Sequence, residues 1–178
     1  VYLSHMTNTI AAYTKDEFAL FEEAIAFVSE HLHAAGYLGK PVLLHSIRVG
    51  LSLAQRGSKP DVVLAGFLHD TVEDTDVTTK DLETRFGKEV ARLVSANSKD
   101  ASITDRESRH EELIRRCVSE GEDAATVKAA DILDNFAYYS ALNDPLVDFC
   151  KNNASLLKKY LPENYQNPIF SEVFESLL

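Results

Sequence analysis

The chain contains no tryptophan, one methionine and two cysteines in 178 residues. Cys117 and Cys150 make neither a CxxC pair nor a closely spaced framework. That excludes a disulfide-stapled scaffold and fits two buried thiols in a reducing, cytoplasmic setting. Long apolar runs are missing as well. The longest, Val62 to Leu68, falls far short of the roughly 20 residues that cross a bilayer and stops at His69 and Asp70, so no membrane partner is expected. Positive charge is scarce: 18 Lys and Arg face 28 Asp and Glu, a net charge of −10. Long-range attraction to a nucleic-acid polymer is therefore excluded as the main role. A small phosphorylated ligand is not, because a metal ion and a few local cations set the potential of a site. The GxxxxGK[ST] phosphate loop, the GxGxxG fingerprint and the GxSxG elbow are all absent, leaving those three chemistries without support.

With only 7 Gly and 5 Pro, punctuation is sparse, and it falls between apolar stripes of helical spacing. This predicts an all-α fold. Residues 1–6, which include Ser4-His5-Met6, look vector-derived, and residues 7–178 read as one compact domain with C-terminal helices. At this length folding removes roughly 70% of the chain's surface from water without a structural staple, so any metal would be functional. A capping box at Thr14 and Glu17 opens a first helix to about His33. Pro41 falls in the first turn of a second, which Gly57 ends, and Pro60 opens a third, nearly all apolar, from Asp61 to about Asp70. Thr78 begins a short helix reaching Phe86-Gly87, another follows at once, and Ser95 to Ser102 reads as a loop. Thr104 and Glu107 form a second capping box, with a stop at Gly121. Ala124 to Leu142, Leu146 to Leu161 and Phe170 to Leu178 complete the pattern. Neither a homo-oligomer nor a monomer is specified.

Ionisable groups stand in unusual places. His69-Asp70-Thr71-Val72-Glu73-Asp74-Thr75 directly follows the most apolar stretch of the chain, and such groups are costly to bury unpaired. If the helix continues one more turn, His69 and Glu73 share a face, as do Asp70 and Asp74. His45 and Asp131 each lie within an apolar helical run and each need compensation. Two imidazoles and two carboxylates on neighbouring helices would form a mixed nitrogen and oxygen metal site, open by chemistry alone to Mn, Fe, Co or Zn.

His45, the doublet His69-Asp70 and the later Asp131 reproduce the H…HD…D pattern of the HD-domain phosphohydrolases. Phe67 to Thr75, Phe86-Gly87-Lys88-Glu89-Val90, Lys128-Ala129-Ala130-Asp131 with Asn135, and Gly39-Lys40-Pro41 before His45 resemble the hydrolase branch of the RelA/SpoT family. The resemblance implies an HD-type helical bundle and a stand-alone small alarmone hydrolase of the stringent response. Such an enzyme uses one Mn2+ ion to remove the 3′-pyrophosphate of (p)ppGpp or (p)ppApp. It implies His45, His69, Asp70 and Asp131 as metal ligands, with Glu73 and Asp74 orienting or deprotonating the attacking water. Asn135, Lys128 and Arg109, the last near Lys99 and Arg106, would meet the nucleotide, although each also reads as an ordinary helix-surface residue. The partner is thus a phosphorylated purine nucleotide. The alternatives are an HD phosphohydrolase of ordinary nucleotides and a non-catalytic nucleotide-sensing module.

The resemblance breaks at the base. Guanosine-specific relatives carry an Arg-Lys pair before the Gly-x-Pro segment, where this chain has Ala35-Gly36-Tyr37-Leu38, and the Thr that follows Asn135 is replaced by Tyr138. Tyr37 offers a stacking face to either purine or caps the first helix. Guanine and adenine both remain open at this point.

Overall fold

The structure, a computed structural model, describes residues 13–36 and 40–178. The vector-like segment 1–6 and Tyr37 lie outside the described residues. Among those described, the regular structure is helical and no strand occurs. Their contacts group into two compact units, the first ending at Ser95 and the second spanning Ala96–Leu178.

The first unit contains α1 (Lys15–Ala35), α2 (Val42–Gln55), α3 (Pro60–Leu68), α4 (Thr71–Asp74) and α5 (Thr79–Phe86), while α6 (Lys88–Asn97) reaches its boundary. The capping box expected at Thr14 and Glu17 forms, and the short helix expected to begin at Thr78 opens with a second one, Thr78 with Asp81, satisfying the first free amides of α1 and α5. Helix α3 is buried from Val62 to Leu68 and packs against α1 and α2. Its approach to α2 is close because two glycines meet there. A Cβ on Gly50 would lie 2.2 Å from Phe67 Cδ1, and one on Gly66 would lie 2.6 Å from Leu53 Cδ1 and 3.1 Å from the Gly50 Cα. No other residue type permits that spacing. The short link at 56–59 turns α3 back along α2, which brings the early His45 and the late His69 to one end of the pair.

Helix α3 stops at Leu68 rather than near Asp70. The Thr71 hydroxyl donates to the Leu68 carbonyl at 2.6 Å, a side-chain bond that competes with the helix ladder. The chain then re-enters a single helical turn, α4, through Asp74 N–H to Asp70 O at 3.0 Å. Further on, α6 continues to Asn97, three residues into the expected loop, because Ala96 and Asn97 are buried rather than solvated.

The second unit holds α7 (Arg106–Ser119), α8 (Glu122–Ala141), α9 (Leu146–Tyr160) and α10 (Pro168–Leu177). Helix α8 packs against the other three, and every residue from Ala124 to Ile132 is buried. The expected cap at Thr104 is displaced by one residue. Asp105 caps α7 by accepting the Ser108 N–H at 2.8 Å, since its carboxylate is the stronger acceptor. Glu122 accepts the Gln166 and Asn167 amides, each at 2.7 Å, anchoring the segment before α10. Cys117 and Cys150 are both free and buried, as expected. Burial pushes the Cys117 thiol up to about 12, so it is no nucleophile.

Candidate metal centre

His45 faces inward from α2 and His69 caps the C-terminal end of α3, with only 2% and 3% of their surfaces exposed. Their Nε2 atoms lie 3.2 Å apart. Asp70, the next residue, places Oδ1 3.3 Å from His69 Nε2 and Oδ2 3.6 Å from His45 Nε2. The second nitrogen of His69 decides what this cluster is for. Its Nδ1 lies 2.9 Å from the Gly66 carbonyl, which only accepts, so Nδ1 carries the hydrogen and Nε2 keeps its lone pair. That lone pair points at a second imidazole nitrogen and a carboxylate. Two nitrogen ligands at about 2.1 Å from one ion, at right angles, would themselves be roughly 3 Å apart, which matches the observed pair. The carbonyl bond is also the kind of outer contact that fixes a metal-ligating histidine. The donor set therefore fits a divalent cation.

Glu73 and Asp74 follow on α4, both half-buried, within one turn of the doublet. The break after Leu68 means that they share the α4 turn and not a continuous α3 face with His69. Thr75 Oγ1 donates to the Thr71 carbonyl at 2.6 Å and accepts the Val77 N–H at 3.1 Å, tying this turn down. A cavity of about 550 Å3 opens in the same unit where α1 ends and α2 begins, lined by Leu32, His33, Lys40, Val42 and Leu44 among others. No described residue lining it carries a guanidinium.

In the second unit Asp131 is buried on α8. Its Oδ2 accepts from Lys128 Nζ at 2.8 Å and its Oδ1 from Asn135 Nδ2 at 2.5 Å. Lys128 is itself 93% buried, so it is not the surface lysine that its residue type suggested. Arg109 is half-buried and its guanidinium reaches toward the Ile103 carbonyl at 3.4 Å. Tyr138 packs edge-on against Tyr139, ring centres 5.3 Å apart.

Two residues escaped the sequence reading. Phe149 receives the Arg106 guanidinium over its face at 5.0 Å and the His110 ring edge-on at 4.6 Å. Burial, and then Lys99, Lys128, Arg106 and Arg109, push the His110 pKa from 6.5 down to about 4. The four cations singled out by motif position thus act on one place in this unit. No spacing rule reports that convergence, because α9 supplies the ring on which it is built.

A profile described as an HD domain matches residues 24–149. The chain is 41% identical over 101 residues to the zebrafish (Danio rerio) guanosine-3′,5′-bis(diphosphate) 3′-pyrophosphohydrolase MESH1, covering 54% of each protein. It is 35% identical over 99 residues to a guanosine-3′,5′-bis(diphosphate) 3′-pyrophosphohydrolase of Aquifex aeolicus, covering 54% of this chain and 14% of that one. The chain therefore spans about half or less of the length of these curated relatives. Among solved structures, a metazoan ortholog of SpoT, described as hydrolysing ppGpp and playing a role in starvation responses, superposes with a TM-score of 0.72. It does so at 25% identity, over 93% of this chain and 99% of that one. Among the described residues, no helix is long and apolar enough to cross a membrane.

Proposed function

The chain belongs to the HD-domain family, and from that premise we propose that it is a divalent-metal-dependent 3′-pyrophosphohydrolase of a purine nucleotide alarmone. His45, His69 and Asp70, joined by Asp131, would hold one ion, with Mn2+ as the preferred metal. The observation that carries the reading is the His69 tautomer. A buried imidazole whose Nδ1 is committed to Gly66 turns its Nε2 toward His45 Nε2 and Asp70, a nitrogen and oxygen donor set that suits a divalent cation. The relatives named as guanosine-3′,5′-bis(diphosphate) 3′-pyrophosphohydrolases support the substrate class.

When bound, the ion polarises a phosphoryl oxygen and lowers the pKa of water. Glu73 accepts the proton of the attacking water, and Asp74 orients that water beside it. The water oxygen bonds to the phosphorus nearest the ribose. The bond from that phosphorus to the 3′ oxygen breaks, and the 3′ oxygen leaves with the electron pair and is protonated. Pyrophosphate and the nucleoside di- or triphosphate are the products. Lys99, Arg106 and Arg109 offset the substrate's negative charge, while Asn135 and Tyr138 border the nucleoside; Tyr37, by its residue type, offers a stacking face to a purine. The absence of a guanidinium at Ala35-Gly36 keeps adenosine and guanosine alarmones both in the proposal.

A hydrolysis panel tests it: guanosine and adenosine tetra- and pentaphosphate alarmones, and common nucleoside mono- and triphosphates, each with and without Mn2+. Pyrophosphate release from a 3′-pyrophosphorylated nucleotide, dependent on Mn2+, is the expected result. Orthophosphate from simple nucleotides alone would overturn it in favour of an ordinary nucleotidase, and no turnover in favour of a sensor. Glu73→Gln is expected to lower kcat by about 100-fold or more while Mn2+ remains bound, the usual scale for losing a general base.

A further inference from the structure

Lys128, Asp131 and Asn135 occupy one stripe of α8 at spacings of three and four residues. Lys128 stands inside the buried run from Ala124 to Ile132, where an ammonium is tolerated only beside an anion. Asp131 is that anion, at 2.8 Å. Its carboxylate offers about four lone-pair positions. Lys128 donates to Oδ2 and Asn135 to Oδ1, which fixes the rotation of the carboxylate plane. Both donors come from the same rigid helix, so the orientation is set before any ligand arrives.

We propose that Lys128 is a positioning residue for metal binding: it holds the Asp131 carboxylate in its ligating orientation, and contact with the nucleotide is not its main role. The inference rests on the proposed assignment of Asp131 as a ligand. A lysine that chiefly met substrate phosphate would be expected to point its ammonium into solvent in the free protein, not to sit 93% buried against a neighbouring carboxylate.

The test is Mn2+ titration calorimetry on the metal-stripped full chain for wild type, Lys128→Met, Lys128→Arg, Asp131→Asn and the double variant Asp131→Asn with Lys128→Met. Helical content is checked by circular dichroism. Outer contacts of metal ligands are typically worth 10–100-fold in affinity, so Lys128→Met is expected to weaken Mn2+ binding by about that factor. Lys128→Arg restores most of it. In the Asp131→Asn background the same change has almost no effect, because the two residues act as one unit. At saturating Mn2+, Lys128→Met keeps its KM within about threefold of wild type, well short of the loss expected for a lost phosphate contact. Unaltered Mn2+ affinity in Lys128→Met, an equal loss in both backgrounds, or a large rise in KM at saturating Mn2+ would each overturn the inference. Should Lys128→Met lose helicity, Lys128→Gln decides on the same criteria. Wild type that binds no Mn2+ overturns the metal-centre reading itself, and this inference with it. Wild type that binds Mn2+ while the variant binds it equally overturns this inference alone.

Discussion

His110 shows how far a single residue can depart from what its type suggests. Burial against Phe149, with Lys99, Lys128, Arg106 and Arg109 around it, pushes its pKa down to about 4. Between there and 6.5 the unfolded chain binds a proton that the folded chain refuses, so stability rises with pH across this window and falls as pH drops through it. The carboxylates of Asp81, Asp100, Asp105, Glu89 and Glu111, whose pKa values hydrogen bonds and cations hold below 3.8 or 4.5, add the same sign at lower pH. Replacing His110 with Phe is expected to flatten the Tm against pH curve between pH 6.5 and 4 and leave it unchanged above pH 7. A wild-type Tm that stays level through that range would contradict the assignment. The chain advertises His110 only as one histidine among six, because the cations around it are gathered by folding and not by spacing. His45 and His69, in contrast, were legible, since each interrupts an apolar run.

At the scale of elements, the α2 and α3 pair is the part of the fold with least tolerance. Gly50 and Gly66 let the helices approach until Phe67 and Leu53 fill the space a Cβ would need. Gly50→Ala has to displace the Phe67 ring, which is 1% exposed, and overpacking of this kind costs about 1–3 kcal/mol despite the better helix propensity of alanine. In a chain of this size Tm is expected to fall by about 2–4 °C for each kcal/mol, read by thermal denaturation. Because the crossing also aligns His45 with His69, the same variant is expected to weaken Mn2+ binding. An unchanged Tm would show that the ring relaxes freely. Glycine within an apolar helical pattern signals only a weak helix former. That Gly50 meets Gly66 is information about two helices at once. Similarly, Thr71 and Asp105 moved element boundaries by one or two residues, because their oxygens choose between rival backbone partners only when the surrounding turns are built.

For the whole molecule, a cation held by residues spread from His45 to Asp131 would bind the folded chain and not the unfolded one. Ligand at about 100 times its Kd stabilises by about 2.7 kcal/mol. Mn2+ is therefore expected to raise Tm by about 5–10 °C, with chelator reversing the rise and Asp131→Asn abolishing most of it. A Tm insensitive to Mn2+ and chelator would argue against the proposed ligand set. The net charge of −10 works in the same direction. It favours a cation over a free phosphate.

The order of amino acids alone determined the helical class, most helix limits and the identities of the candidate ligands. Apolar periodicity, capping residues and the isolation of ionisable groups in greasy runs are properties of neighbours along the chain, and neighbours along the chain are what a sequence displays. Tertiary structure decided which His69 nitrogen faces His45 and Asp70, that Lys128 is buried on Asp131, and that four cations act on His110. Each of those depends on distances of a few ångströms between groups brought together by packing, and hydrogen-bond direction and charge coupling are set by such distances.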